Sequence, residues 1–391
     1  MSTASIMNTY GERKLTFTKG EGCYLWDKQG NRYLDALSGI AVCGLGHAHP
    51  EVAQTIAEQA STLLHTSNLY LTDPGLELAD NLCAETGMEK VFFSNSGAEA
   101  NEAAIKIARK YGNDKGITKP VIITMDGSFH GRTMATLTAT GNSKVKTGFT
   151  PLLEGFVHVP YDNIDELKAA ATSDVVAVLV EPVQGEGGVN IPATDYLNQL
   201  RELCDQNDWL LMLDEIQTGN CRTGRHFAFQ HNQIQPDVVT TAKGLGNGLP
   251  IGACMARGKA AEILVPGTHG STYGGNPLVC QGALTVQKVL KRDRIDSKAM
   301  ETGNYLLDSF NQAIGSSALV KEIRGMGMMI GIELTMDCPE LVGKAADKGL
   351  LINVTAGSVI RLLPPLTLSK QQADDVAEIV SSLVNELEAQ G

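Results

Sequence analysis

Short apolar runs alternate with helical patterns from about residue 50 onward, and this alternation constrains the fold more than any other feature of the sequence. The clearest runs are Val121–Met125, Val175–Val180, Leu210–Leu213, Asp237–Ala242 and Ile251–Ala256. Strands that are apolar along their whole length are buried on both faces, as in a mostly parallel sheet that helices cover on both sides. The sequence therefore predicts an α/β fold built around such a sheet.

The pattern differs at both ends of the chain. Near the N-terminus, Gly22–Trp26 and Arg32–Asp35 read as brief strands around a turn. After a long helical stretch, short strands are predicted at Met328–Leu334 and Ser358–Leu362, followed by a last helix over Lys370–Ala389. These elements predict a second, smaller α+β body.

A chain of 391 residues is long enough for two or three domains. We expect a large domain over residues 51–280 and a small domain over residues 281–391. The N-terminal segment 1–50 is expected to pack with the small domain, because the two ends of a chain often lie close together.

Charge and composition exclude several classes of protein. The formal net charge of −12 argues against nucleic acid as a main ligand, because binding to phosphate backbones needs a basic surface. No apolar run approaches the ~18 residues of a transmembrane helix, and the polar segment 1–17 lacks the apolar core of a secretory signal. The eight cysteines include no C-x-x-C pair, which favours free thiols in a reducing compartment. We therefore expect a cytoplasmic protein with no membrane or nucleic-acid partner.

Charged residues stand at the ends of three successive predicted strands. Glu181, Asp214 and Lys243 each follow an apolar run, and each is soon followed by a glycine-containing loop. In an open parallel sheet, ligands bind beyond the carboxyl ends of the strands. Any one of these residues could be a solvated charge at a strand end, but three in succession favour a ligand site.

The segment Val91–Ala100 reads as a strand, a tight turn and the start of a helix. Ser96, with Glu99 three residues later, has the pattern of a capping box, which by itself indicates only that a helix begins. The functional alternative is that Gly97 allows close approach of the backbone. The amides of Gly97 and Ala98 would then be free to bind a phosphate group.

A lysine and a carboxylate at neighbouring strand ends, with a phosphate site at a helix N-terminus, are the groups that pyridoxal phosphate requires. Other chemistries have less support. The sequence has no G-x-x-x-x-G-K-[ST] P-loop, and Ser271 lacks the G-x-S-x-G context of a serine hydrolase. His47 and His49 have no second cluster of ligands in the sequence, so no metal site is expected.

Seven motifs in order give the sequence a resemblance to a known family. They are Ser96–Glu102, Phe129–Thr133, Glu181–Gly188, Asp214–Gly219, Thr241–Gly246, Gly270–Pro277 and Arg361–Pro365. Together they closely resemble the class III (omega) aminotransferases of fold type I, from about Tyr10 to the last helix. That resemblance implies a mostly parallel seven-stranded sheet in the large domain. The stretches Gly39–Val42 and Leu45–Pro50 are similar to those of bacterial members that act on N2-acetylornithine.

The resemblance implies pyridoxal 5′-phosphate as the cofactor and assigns roles around it. Lys243 would hold the cofactor covalently and, once substrate displaces it, would carry a proton between the substrate carbon and the cofactor. Asp214 would keep the pyridine nitrogen protonated. Gln217 would hydrogen-bond the ring oxygen, and Phe129 would stack on the ring face.

The phosphate site implied by the resemblance spans two subunits. The amides of Gly97 and Ala98 would bind the phosphate together with Thr272, which in the family comes from the neighbouring subunit. Ser271 would lie beside the substrate there. The resemblance therefore implies an obligate homodimer with shared active sites.

Four further residues are expected to bind substrate. Arg132 follows the loop of Phe129 and would bind a distal carboxylate, while Arg361 would bind the carboxylate beside the reacting carbon of glutamate. Glu186 would pair with Arg361 when a terminal amine donor is bound and would swing away for glutamate; the alternative is a fixed structural ion pair. Relatives that use free ornithine carry a tyrosine at the position of Ile40, so an aliphatic residue there suits acetylornithine better.

The expected reaction is transfer of the terminal amine of N2-acetyl-L-ornithine to 2-oxoglutarate, which gives N-acetylglutamate 5-semialdehyde and glutamate in arginine biosynthesis. Succinylornithine, succinyl-diaminopimelate, ornithine and 4-aminobutyrate remain alternative donors. A mutase or decarboxylase of the same fold is an alternative reaction. It would not need Glu186 to leave Arg361 and return, because only a cycle with two substrates requires that movement. A catalytically silent binding protein on this scaffold would not need the set of Lys243, Asp214 and Arg132.

Overall fold

A computed structural model of the chain describes residues 5–11 and 14–389. Residues 1–4, 12, 13, 390 and 391 belong to the predicted N-terminal segment and small domain, and they lie outside the described residues. The same holds for part of segment 1–17, for which no secretory signal is expected.

The described residues form fifteen strands and twelve helices. The strands are β1 (Phe17–Glu21), β2 (Tyr24–Asp27), β3 (Arg32–Asp35), β4 (Lys90–Ser94), β5 (Val121–Met125), β6 (Phe156–Val159), β7 (Val175–Val180), β8 (Leu210–Asp214), β9 (Val238–Thr241), β10 (Gly252–Ala256), β11 (Val320–Met326), β12 (Met329–Leu334), β13 (Leu350–Leu351), β14 (Asn353–Thr355) and β15 (Val359–Leu362). The helices are α1 (Ser38–Ala41), α2 (Pro50–Thr62), α3 (Asp73–Thr86), α4 (Gly97–Asp114), α5 (Met134–Ala139), α6 (Ser143–Lys146), α7 (Ile164–Ala169), α8 (Tyr196–Asn207), α9 (Pro277–Arg292), α10 (Ile295–Ile314), α11 (Leu341–Asp347) and α12 (Lys370–Glu388).

The largest sheet has seven strands in the order β4-β10-β9-β8-β7-β5-β6. The five neighbouring strands β9, β8, β7, β5 and β6 run parallel to one another. Strand β10 runs antiparallel to both β9 and β4. Residues 242–251 join β9 to β10 without an α-helix, which favours an antiparallel pair because a crossover between parallel strands usually contains a helix. The predicted α/β fold with a mostly parallel seven-stranded sheet is confirmed.

Strands β7 and β8 are buried along their whole length, as their continuous apolar sequences require. Five strands are absent from the sequence prediction, and β13 and β14, with two and three residues, are the shortest of them. β1 carries mostly exposed residues, β6 is only four residues long, and β11 includes the charged residues Lys321, Glu322 and Arg324. Such strands lie at the edges of their sheets and do not need apolar residues on both faces.

Two smaller sheets involve both ends of the chain. One has the order β1-β2-β3-β13, and in it Leu34 of β3 pairs in parallel with Leu350 of β13. The other has the order β11-β12-β15-β14. A continuous apolar core joins these sheets to α9, α10 and α12. The N-terminal strands thus pack with the C-terminal part of the chain, while the predicted domain boundaries stay a prediction.

Among the residues that the structure describes, no helix combines the length and the apolar character that crossing a membrane requires.

Candidate active site

A cavity of about 440 Å³ opens at the carboxyl ends of the central strands. Its volume is typical of sites for small molecules. Many of the residues that the sequence assigns to a site lie in its wall. They are Gly97, Ala98, Phe129, Arg132, Glu186, Asp214, Gln217 and Lys243.

Lys243 lies two residues beyond the end of β9 and begins a short 3₁₀ turn over Lys243–Leu245. Its φ of 42° lies in the left-handed region, which is uncommon for a residue with a side chain. Burial lowers the pKa of the Lys243 amine, and Glu186 opposes this shift. The buried amide of Asn220 donates a hydrogen bond of 2.9 Å to Thr241 Oγ1. This bond holds the end of β9, two residues before the lysine, in place.

Asp214 is the last residue of β8, and three donors converge on its buried carboxylate. Asn101 Nδ2 donates to Oδ2 over 2.8 Å, and the backbone N–H of Ile216 donates to Oδ1 over 3.1 Å. His130 Nδ1 lies 2.8 Å from Oδ2. The carboxylate is therefore held in one orientation at the base of the cavity.

Sequence reasoning missed Asn101 and His130. Asn101 lies on the buried face of α4 among small apolar residues such as Ala100 and Ala104. A polar residue within an apolar helical stripe is a usable signal, because a buried amide needs partners. His130 adjoins Phe129 in a motif that the sequence analysis did identify, but its contact with β8 depends on the fold.

Glu181 follows β7 and lies under the loop of Phe129. Its carboxylate accepts hydrogen bonds from the backbone N–H of Phe129 at 2.8 Å and of Gly185 at 3.2 Å. Burial raises the pKa of Glu181 to about 7. Glu181, Asp214 and Lys243 thus lie at one edge of the sheet, as the strand-end pattern predicts.

The N-terminus of α4 forms another part of the cavity wall. Ser96 caps it by accepting a hydrogen bond from the N–H of Glu99, but the Glu99 carboxylate accepts from the N–H of Asn95 rather than from that of Ser96. The predicted capping box is therefore only half correct. The cap leaves the amides of Gly97 and Ala98 without a partner inside the helix.

Gly97 has a packing role beside any role of its amide. A Cβ atom at this position would lie 2.7 Å from Ile216 Cδ1, so a larger residue would displace the loop that follows Asp214. The glycine allows the start of α4 and the end of β8 to approach each other.

Arg361 and Glu186 form an ion pair at the side of the cavity. Arg361 Nη1 donates to Glu186 Oε1 over 2.5 Å, and Nη2 donates to Oε2 over 3.2 Å. Burial raises the pKa of Glu186, but the charge of Arg361 outweighs this and leaves it below its ordinary value. The Arg361 side chain is 1% exposed and that of Glu186 is 32% exposed, so Glu186 is the member that faces the cavity.

Arg132 and Phe129 lie together at the mouth of the cavity. The Arg132 guanidinium carbon is 5.6 Å from the centroid of the Phe129 ring, a cation–π contact. Arg132 is exposed, so its donors are available to a ligand.

Four residues with expected roles do not line this cavity, and one of them is the buried Arg361, whose partner Glu186 lies in the wall instead. Ile40 belongs to α1 and packs against a small apolar cluster. Val42, two residues later, lies in the cavity wall in its place. Ser271 Oγ accepts a hydrogen bond of 3.3 Å from Asn95, which is a wall residue. Thr272 is exposed.

A family model described as class-III aminotransferase matches residues 6–384 of the chain. An acetylornithine aminotransferase of Nitrosomonas europaea is 56% identical over 381 residues, which are 97% of this chain and 97% of the relative. One of Methanothermobacter thermautotrophicus is 46% identical and covers 98% of this chain and 97% of its own length.

Solved structures are similar over the same length. An ornithine aminotransferase of Toxoplasma gondii superposes with a TM-score of 0.96 at 34% identity, covering 100% of this chain and 94% of its own. An N-acetylornithine aminotransferase of Stenotrophomonas maltophilia gives a TM-score of 0.84 at 37% identity, covering 98% and 99%.

Proposed function

The chain belongs to the class-III aminotransferases, and we propose that it transfers the terminal amine of N2-acetyl-L-ornithine to 2-oxoglutarate. The products are N-acetylglutamate 5-semialdehyde and glutamate, which places the reaction in arginine biosynthesis. The observation that carries the proposal is the meeting of Lys243, Asp214 and the N-terminus of α4 at one cavity. Relatives named acetylornithine aminotransferase, at 44–56% identity, support the choice of substrate.

The cofactor of this family is pyridoxal 5′-phosphate, and the residues of the cavity fit it. Gln217 Oε1 is buried without a hydrogen-bond partner among the described residues, so it is available to a ligand. The start of α4 suits the phosphate dianion, and the Asp214 carboxylate suits a protonated ring nitrogen. When bound, the cofactor supplies an electron sink for the carbanion at the reacting carbon.

Within this proposal, the residues of the chain hold the reactants and move one proton. Lys243 would hold the cofactor through Nζ and, once substrate had replaced it, would move the proton at the reacting carbon. Its burial-lowered pKa favours the neutral amine that a base requires. Asp214 would hold a proton on the ring nitrogen by its negative charge, and Phe129 would cover the face of the ring.

Arg132 and Arg361 divide the carboxylates of the two substrates. Arg361 binds the carboxylate beside the reacting carbon of glutamate, and Arg132 at the mouth binds the distal carboxylate. Acetylornithine brings no carboxylate to Arg361, so Glu186 keeps that buried cation paired in this half of the cycle. The aliphatic side chain of Val42 in the cavity wall offers no acceptor for the α-ammonium of free ornithine.

A panel of amine donors tests the proposal. Purified enzyme with 2-oxoglutarate is given acetylornithine, succinylornithine, succinyl-diaminopimelate, ornithine and 4-aminobutyrate in separate assays of glutamate formation. The expected result is the highest kcat/KM with acetylornithine and the poorest with free ornithine. A preference for ornithine or 4-aminobutyrate would overturn the assignment of substrate while leaving the reaction class intact.

The proposal includes a homodimer. Exposed apolar residues flank the loop that carries Thr272: they are Leu63, Leu64, Leu69, Tyr70, Leu71 and Tyr273. An apolar patch of this kind is typical of a surface between subunits. We also place the enzyme in the cytoplasm, which is supported by eight free cysteines.

Subunit complementation tests whether Thr272 serves the neighbouring site. Thr272→Ala should weaken cofactor binding, and a mixture with Lys243→Ala protomers should regain activity because each heterodimer contains one intact site. Random exchange makes half of the dimers mixed, and one of the two sites in each mixed dimer is intact. About a quarter of all sites should therefore be active, which gives about a quarter of the wild-type activity. Absence of recovery after verified exchange would mean that each site is built within one chain.

Glu186→Ala should impair the half-reaction with acetylornithine far more than that with glutamate. Without Glu186, the amine donor leaves the Arg361 charge unpaired, whereas glutamate brings its own carboxylate. A difference of ~2 kcal/mol would change relative specificity about thirty-fold. Single-turnover spectra with each donor measure it. Glu322→Ala is the matched control, since Glu322 also pairs with an arginine, Arg324, but outside the cavity. Equal losses with both donors would identify a fixed structural pair.

A further inference from the structure

Arg361 has a second partner that the ion pair does not explain. Asn353 lies opposite Arg361 in the antiparallel pair of β14 and β15. Its Oδ1 accepts hydrogen bonds from Arg361 Nη2 at 2.8 Å and from Nε at 3.2 Å. An arginine offers only donors, so the amide must direct its oxygen toward the guanidinium.

The two partners use different edges of the guanidinium. Asn353 accepts from the Nε and Nη2 edge, whereas Glu186 accepts from Nη1 and Nη2. If Glu186 withdrew, the N–H groups of Nη1 and Nη2 that it accepts from would be available to a substrate carboxylate, while Nη2 kept its other hydrogen bond to Asn353. Asn353 would still hold Nε and keep the plane of the group fixed.

The surroundings distinguish the mobile partner from the fixed one. Glu186 lies in a loop between Gly185 and Gly187, and its side chain is partly exposed to the cavity. Its backbone carbonyl accepts a hydrogen bond of 2.6 Å from Thr355 Oγ1, also on β14. The side chain can rotate while this bond holds the loop in place. Asn353, in contrast, belongs to a paired strand.

We propose that Asn353 is a positioning residue that holds the guanidinium of Arg361 ready for a substrate carboxylate while Glu186 is withdrawn. This inference rests on the proposed function, in which Arg361 binds glutamate. The neutrality of the amide is essential, because a carboxylate at this position would neutralise Arg361 in both halves of the cycle. Because Asn353 is neutral, Arg361 loses the counter-charge of this ion pair when Glu186 withdraws.

Asn353→Asp tests the importance of neutrality. The added carboxylate should lower the rate constant of the glutamate half-reaction at least about tenfold and leave the acetylornithine half-reaction within about threefold. Binding of glutarate, an unreactive dicarboxylate, should weaken by a similar factor in a titration without turnover. Val354→Ala is the control for disturbance of β14, because Val354 packs against the core of the small sheets.

A double variant makes the prediction sharper. In Glu186→Ala combined with Asn353→Asp, the new carboxylate should pair with Arg361 permanently. The acetylornithine half-reaction lost in Glu186→Ala should then recover at least about fivefold, while the glutamate half-reaction stays slow. Asn353→Leu, which leaves the guanidinium plane unsupported, should slow the glutamate half-reaction and give no such recovery.

The possible failures are distinguishable. If the wild-type enzyme reacts with neither donor, the proposed function fails. If it reacts with both and Asn353→Asp slows both equally, or leaves glutarate binding unchanged, the positioning role is wrong and the proposed function stands.

Discussion

Lys243→Ala is expected to lower transamination more than about 10⁴-fold, because it removes the covalent attachment and the proton carrier in one change. The geometry supports this size of effect: Lys243 lies two residues beyond β9, its pKa is lowered by burial, and it lies in the same cavity wall as Asp214. Glutamate formation from acetylornithine measures the loss. The absorbance of the bound cofactor should also change, since its attachment to Nζ is gone.

A matched control separates this effect from the loss of any lysine. Burial also lowers the pKa of Lys146, but that side chain lies beside His158 and does not line the cavity. Lys146→Ala should retain most of the activity. Added methylamine should restore part of the turnover of Lys243→Ala by supplying a free base. Substantial transamination by Lys243→Ala without added amine would contradict the assignment.

Asp214→Asn is expected to slow both half-reactions at least about 10³-fold while the chain stays folded. An amide carries no charge to hold a proton on the ring nitrogen. In addition, Asn101, His130 and the N–H of Ile216 all lie within hydrogen-bond distance of the carboxylate, and an amide would turn a donor toward one of them. Single-turnover rates with glutamate and with acetylornithine measure the effect.

Glu215→Gln is the control for burial of a carboxylate at this place. Glu215 is the next residue, burial raises its pKa to about 7, and its partners are Thr218 and the N–H of Phe229 rather than wall residues. This variant should keep its activity even if its melting temperature falls. Near wild-type turnover by Asp214→Asn would show that the ring nitrogen does not need this charge.

The sequence predicts the large sheet and the residues at its strand ends because both depend on local patterns. Continuous apolar runs identify β5, β7 and β8, and parallel strands bring their carboxyl ends together without further information. Lys243 and Asp214 therefore lie in one cavity wall as the pattern requires. Their catalytic roles, and those of the other site residues, stay predictions.

The missed residues depend on contacts between distant segments. Asn353 contacts Arg361 because of the register of two short strands. His130, in the loop after β5, contacts Asp214 at the end of β8. No periodicity in the sequence encodes such a register. The half-correct cap at Ser96 has a similar cause, because the loop before α4 presents the N–H of Asn95 to the Glu99 carboxylate.

The pairing of Leu34 with Leu350 has a consequence for how the chain is made. A ribosome adds ~5–20 residues per second, so β3 waits roughly 15–60 s before β13 exists. The central sheet, from β4 to β10, is complete long before that time. Throughout this interval Leu34, which is buried in the finished protein in a core shared with the C-terminal elements, lacks those partners. The N-terminal strands therefore wait longer than the central sheet for the partners that complete their packing.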